Sequence, residues 1–337
     1  MPSFGYVLRR VGQSLVVIFI VYAITFIALF VLPGDPIDNK INNPVSPLPQ
    51  STADGLRAYY NTDKPAIVQF FLSLTRLARG DLGFSLTNGK SVADLIGQAL
   101  SQTLPLAALA LLFTVVLSLA IALAATFAPW KPVRDAARAV PVLSISSPSF
   151  LVGYVLIVVF SFQLGWVSSI TDQGFVSLVL PAITLAFASS GALSQVLIQG
   201  LGDAASQPFV TVLTAKGVSQ GGIVLRHVLK NGAIPAITLL ALIVGDVLAG
   251  SVIVETVFNR TGLGYFTYTS VRDQDTPTIE AIVLIVSAVY LSINLITDLV
   301  YPALDPRITQ GGAGGSDRAG GSGAERRRAQ KKTEVPA

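Results

Sequence analysis

The chain has 337 residues, 52% of them hydrophobic and only 12% charged, with a formal net charge of +4. Soluble domains carry about 25% charged residues, so the bilayer is the expected solvent for this much apolar surface. Cysteine is absent and histidine occurs once, at His227, which excludes disulfides, thiolate metal sites and a Cys nucleophile and argues against a His-based catalytic or metal cluster.

Six apolar stretches follow one another along the chain. Val11 to Leu32 carries no charge over 22 residues, Thr103 to Ala128 none over 26, Ala139 to Thr171 none over 33, and Gly174 to Gly202 none over 29. Gly232 to Val254 carries only Asp246, and Ala281 to Pro302 only Asp298. A spanning helix needs about 20 apolar residues, so six spans are predicted, the third with an external turn at its end. Strands are disfavoured because the runs are continuous and rich in Leu and Ala, not alternating. Arg9 and Arg10 ahead of the first run fit the start of a signal peptide. That run is too long for one, however, and ends in Leu32-Pro33-Gly34-Asp35-Pro36 with no small-x-small cleavage site, so it is expected to be retained.

Placement of Lys and Arg sets the orientation. Fifteen of the 23 fall on one side of the spans and eight on the other, and six of those eight sit in the long 33–102 segment beside six acids. The short loops decide, and the positive-inside rule places both termini in the cytoplasm. The predicted organisation is a cytoplasmic N-terminus (1–10), a span (11–32), an extracytoplasmic lobe (33–102), and a core of five further helices (103–308) containing a cytoplasmic loop (203–231). A Gly/Ser/Arg-rich cytoplasmic tail (309–337) is expected to be disordered. Within the lobe, Asn42 to Gln50 is Pro/Asn-rich coil, and Ile67, Phe70, Phe71, Leu74 and Leu77 form an amphipathic helical patch.

The 203–231 loop holds a helix stopped at Gly217, a polar turn at Ser219 to Gly222, and a second amphipathic helix ending near Arg226 and Lys230. It is either a solvated connector or a docking element for a cytoplasmic partner. Asp246, mid-span, would cost about 2.5–3.5 kcal/mol in hydrocarbon, so it is expected to face protein or a water-filled path, with Gly250 one turn on. Ala241, Gly245 and Ala249 form a stripe of small residues suited to close helix approach. Asn294 and Asp298 are expected to bond within or between helices. No G-x-x-x-x-G-K-[ST] occurs, so this chain does not bind ATP by a P-loop.

Ala215-Lys216-Gly217, Arg226-His227, Asn231 and Ile234-Pro235 resemble the cytoplasmic loop of ABC importer permeases of the oligopeptide/dipeptide/nickel group. The other marks of that family stand in order: Leu8-Arg9-Arg10, Pro33-Gly34-Asp35-Pro36, Gly80-Asp81-Leu82-Gly83-Phe84-Ser85, Pro148-Ser149-Phe150, Leu180-Pro181-Ala182, Glu255-Thr256-Val257-Phe258 with Gly262-Leu263-Gly264, and Asp305-Pro306-Arg307. The resemblance covers about Phe4 to Arg307. It implies an all-α, six-transmembrane-helix, type I ABC importer permease fold, as the B-type subunit of a pair. It further implies a second homologous permease, two ATPase subunits or domains that bind the ATP and Mg, and an extracytoplasmic substrate-binding protein. This chain itself would hold no cofactor, catalyse nothing and bind no nucleic acid.

By the same resemblance, Thr214, Ala215, Lys216, Gly217, Arg226 and His227 would couple the loop to an ATPase. Glu255, Gly262, Leu263 and Gly264 would contact the binding protein. Asp246 and Gly250 stand as candidates for the translocation path on their position alone. The chain departs from the family where Thr211 and Thr214 replace basic residues ahead of Ala215, and where Gln195 and Gln199 stand near the end of the fourth span. Two other classes compete. An ion-coupled secondary carrier would normally have more intramembrane ionisable groups and repeat symmetry; a membrane-embedded enzyme would need a catalytic cluster, and none lies within a span. Peptides are the favoured cargo, with glutathione-like peptides and nickel chelates left open.

Overall fold

The structure, a computed structural model, describes residues 4–30, 37, 41, 49–168 and 173–304. The Pro33 to Pro36 mark, most of the Asn42 to Gln50 coil, Asp305 to Arg307 and the 309–337 tail lie outside the described residues. Hydrocarbon offers no hydrogen bonds, so a spanning chain must satisfy its backbone internally, and the apolar stretches are helical. In order these are α1 (Phe4–Phe30), α2 (Gln50–Tyr60), α3 (Ala66–Ala78), α4 (Val92–Phe127), α5 (Lys131–Ser146) and α6 (Ser149–Leu156, extended by wider turns over Ile157–Gln163). Then come α7 (Val176–Ala205), α8 (Pro208–Ala215), α9 (Gln220–Ile223, extended over Val224–Val228 and Leu229–Gly232), α10 (Ile234–Val257), α11 (Leu263–Arg272) and α12 (Thr276–Leu304).

Five helices are long and apolar enough to cross a membrane, and α5 with α6 makes a sixth crossing if the bent pair is one span. The third apolar stretch therefore departs from expectation: it is two helices at 109°, not one continuous span with a turn. The break is at Ser147, whose φ of −94° and ψ of 120° are extended. Pro148 imposes this, because its ring disfavours helical backbone at the residue before it. The lobe boundary also moves. The 36 residues of α4 extend about 54 Å, well beyond a hydrocarbon core of about 30 Å, so 92–102 is the outer end of a helix. Ser91 caps that helix, its hydroxyl accepting from the Asp94 N–H at 3.4 Å.

The core lies where α4, α7 and α10 pack, around Leu106, Leu185, Leu201, Val247 and Val254. Several hydroxyls inside it donate to carbonyls. Thr114 and Thr184 donate one turn back, to Ala110 and Leu180. Ser118 and Ser144 reach from α4 and α5 to carbonyls of Ser190 and Phe187 on α7, tying three helices through buried hydrogen bonds.

The lobe is clamped to the bundle at two places. The Tyr22 hydroxyl of α1 donates to the Phe70 carbonyl at 2.8 Å, with the Phe26 ring edge-on to Phe70. Asp275, just ahead of α12, accepts from the Ser85 hydroxyl and, at 3.0 Å, from the Leu86 N–H. The amphipathic patch is split: Phe70, Leu74 and Leu77 pack on Tyr22, Phe26 and Leu284, whereas Ile67 and Phe71 are exposed. Within the lobe, the Tyr60 hydroxyl donates to the Phe84 carbonyl and accepts from its N–H, each at 2.8 Å. Tyr59 donates to Asp81 at 2.5 Å.

Burial raises both phenols above their usual range, Tyr59 to about 12 with the Asp81 hydrogen bond adding to it. The folded lobe thus favours neutral tyrosines. Their contribution is complete below the unfolded value near 10 and is lost as pH rises through 12. The phenolate absorbance difference between the parent chain and Tyr59→Phe should show a midpoint near 12; a midpoint near 10 would mean that Tyr59 gains nothing from the lobe.

Candidate functional site

The 203–231 loop is two short helices held at their bases and free at their tip. Gln207 is extended and Pro208 opens α8, where a missing N–H costs nothing. The helix ends in a Schellman turn: the Gly217 N–H donates to the Thr214 carbonyl at 2.9 Å and the Val218 N–H to the Leu213 carbonyl at 3.1 Å. That turn needs a left-handed residue, and Gly217 sits at φ +77°. Ser219 then caps α9, its hydroxyl accepting from the Gly222 N–H at 3.3 Å.

Phe209, Val210 and Leu213 on one helix and Ile223 and Val228 on the other pack into the core. Residues 214–220 are all exposed. The tip presents Lys216 beside exposed Val212 and Val218, with Leu225 and Arg226 on the second helix. His227 is half-buried, and its carbonyl accepts from the Asn231 side chain at 2.9 Å. The structure thus brings Thr214, Ala215, Lys216 and Gly217 to one exposed tip, with Arg226 exposed on the helix that follows.

The base is fixed by a contact that the sequence reading missed. Gly200 on α7 and Gly232 at the end of the loop meet backbone to backbone: a Cβ on Gly232 would come within 2.6 Å of the Gly200 carbonyl oxygen, and one on Gly200 would fall on the Gly232 carbonyl. Two glycines 32 residues apart carry no spacing signal that marks them as partners.

At the other end of α10, the expected surface of Glu255, Gly262, Leu263 and Gly264 is not a surface. All four are buried. The Glu255 carboxylate, 1% exposed, accepts from the Thr103 hydroxyl at 2.7 Å and from the N–H groups of Gly264 at 2.8 Å and Tyr265 at 3.1 Å. Thr103 in turn accepts from the Leu263 N–H at 2.7 Å. The glutamate closes the N-terminus of α11, where unpaired donors and the helix dipole favour an anion. Gly262 has no room for a side chain because the carboxylate occupies that space. An acid ahead of Gly-Leu-Gly at a helix start was the available signal, and it points to a cap rather than to a contact.

Asp246 is exposed on α10 in the single chain and makes no hydrogen bond or ion pair with the described residues. Of the two surroundings expected for it, a bond to a neighbouring helix is not made among the described residues. Leu242 and Ile253 are exposed on the same helix. Gly250 does not share this openness: it leans on α7, where a Cβ would lie 3.2 Å from Leu185. The small-residue stripe holds at Gly245, which packs on the Tyr290 ring of α12. Asn294 donates one turn back to the Tyr290 carbonyl at 3.0 Å.

Residues 117–310 match the family of binding-protein-dependent transport system inner membrane components. The chain belongs to that family. It is 33% identical over 307 residues to the glutathione transport system permease protein GsiC of Escherichia coli K12, covering 90% of this chain and 98% of that one. The GsiC proteins of Shigella dysenteriae and Salmonella choleraesuis match at the same identity and coverage. A solved amino acid ABC transporter chain overlaps at a TM-score of 0.45 with 19% identity, over 64% of this chain and 94% of that one, a likeness too distant to add to the assignment.

The chain is thus an all-α, multi-pass ABC importer permease of the peptide/nickel group. Glu255→Ala should leave the Gly264 and Tyr265 N–H groups and the Thr103 hydroxyl without their acceptor, at about 1–3 kcal/mol for each buried group. Amide exchange in the first turn of α11 should quicken and the melting temperature fall, with Glu255→Gln losing less. An unchanged melting temperature for Glu255→Ala would remove the cap from the account.

Proposed function

We propose that this permease imports peptides as one of two six-span subunits around a shared path, and that the 208–232 loop is the lever on which a partner ATPase acts. The observation that carries this reading is the contrast within the loop. Its tip from Thr214 to Gln220 is exposed, while Val210, Leu213, Ile223 and Val228 are set in the core. A push on such a tip moves the bundle instead of bending the loop. By the positive-inside bias the lever and both termini would lie in the cytoplasm, and the lobe would lie outside. ATP and Mg would be bound by the partner, and closure of two ATPases would switch the permease pair between inward and outward access. An extracytoplasmic binding protein would deliver the cargo at the lobe-bearing end. Lys216 and Arg226 supply charge to the ATPase contact, and Thr211 and Thr214 lower it relative to the family pattern.

Peptide cargo is supported by the named role of the relatives in glutathione transport and by Asp246. An exposed carboxylate in the middle of a span is stable only against water or another subunit. On the wall of a shared path it would attract a peptide amino terminus.

Two measurements test the reading in the assembled complex reconstituted in lipid. Proline holds φ near −65°, so Gly217→Pro cannot keep the +77° turn and removes the N–H that closes it. It should leave membrane insertion intact while abolishing substrate-stimulated ATP hydrolysis; normal stimulation would reject the lever. Asp246→Asn should lower transport of peptides with a free amino terminus by about 10-fold or less, the scale of one exposed charge contact, relative to N-acetylated peptides. Equal relative rates would take Asp246 off the path.

A further inference from the structure

A small cavity lies where the lobe meets the last span. Its volume is about 30 Å³, and Tyr22 of α1, Ser73 and Arg76 of α3, Asp81, and Glu280 and Leu284 of α12 line it. Glu280 is 7% exposed, and its Oε1 is buried with no hydrogen-bond partner. A buried carboxylate oxygen left so costs far more than an unpaired neutral group, and no described residue supplies its partner. Two of the neighbouring polar groups are already engaged. The Tyr22 hydroxyl donates to Phe70, and Asp81 accepts from Tyr59 and, at 3.0 Å, from the Gly83 N–H. The facing charge is the Arg76 guanidinium. One of its N–H groups donates to the Tyr59 carbonyl, and the guanidinium carbon lies 4.7 Å from the Tyr59 ring centre. It makes no hydrogen bond to Glu280 Oε1.

Donors on one wall and an unsatisfied acceptor on the other, across a gap of this size, define the occupant. About 10–15 Å³ of such space holds one water, so the cavity fits one or two. We propose that it is a binding site for ordered water through which Arg76 of the lobe and Glu280 of the last span form a bridged ion pair. The water accepts from a guanidinium N–H and donates to Glu280 Oε1. The site joins α3 to α12 beside the Tyr22 and Asp275 clamps, so the lobe follows the outer end of the last span.

The test uses the full chain in lipid nanodiscs. X-ray hydroxyl-radical footprinting oxidises side chains beside trapped water. Leu284 should be labelled several times faster than Leu106, which is fully buried in the bundle core. Labelling of Leu284 no faster than Leu106 would mean a dry cavity and overturn the proposal. Hydrogen exchange gives the second readout. Arg76→Gln and Glu280→Gln should each speed exchange in residues 73–83, and the double variant should exchange about 10-fold more slowly than the two effects multiplied, the mark of coupled partners. Multiplicative effects would show that the two residues act separately. Replacing sodium by N-methylglucamine should change neither readout; a change would make the occupant a metal cation and reject water.

Discussion

A helix end inside a membrane protein leaves backbone N–H groups that hydrocarbon cannot satisfy. In this permease that constraint governs where the chain can break and what must stand at each break. Where α11 starts, buried at the outer end of the bundle, the Glu255 carboxylate takes two of its N–H groups and Thr103 takes a third. Glu255 is on α10 and Thr103 on α4, so one cap fastens three helices. Within the spans, hydroxyls turn back on their own carbonyls or cross to the next helix, as Ser118 does to Ser190.

The two ends of the bundle are fastened by different means. At the lobe end the ties are side-chain hydrogen bonds: Asp275 to Ser85 and Leu86, Tyr22 to Phe70, Glu255 to Thr103 and α11. Such ties can be remade in another arrangement with the same groups. At the loop end the tie is the backbone crossing of Gly200 and Gly232, which fixes distance and leaves no side chain to re-pair. A rigid joint under the exposed tip and exchangeable joints at the opposite end suit a subunit that is driven from one side and rearranges on the other.

The sequence made the spans legible because hydrocarbon writes a long, simple pattern, and five of the six stretches each fall on one helix, give or take a residue or two at the ends. The third failed because charge and hydropathy do not register the local backbone rule at Pro148, which was in plain view. The 203–231 loop was legible for the opposite reason: Gly217 and Ser219 are local stop and start signals, and the turn they predict is the turn that forms. The outer site was misassigned. Glu255 was placed by its position at the end of a span, but its partners, Thr103 and the Gly264 N–H, are set by the tertiary fold. The Gly200–Gly232 contact and the Asp275 clamp are long-range in the same way.

Asp246 shows what the single chain lacks. Two other acids near the spans are accounted for inside the fold: Glu255 caps a helix and Asp275 binds a loop. Asp246 lies on a face with Leu242 and Ile253, where lipid would penalise it by about 2.5–3.5 kcal/mol. The neighbours of that face are packed, Gly245 on Tyr290 and Gly250 on Leu185. The residue is tolerable only if this side of α10 is covered by a second subunit or by water between two. The charge in the fifth span and the absence of a P-loop thus point the same way, toward the proposed reading in which this chain works with others.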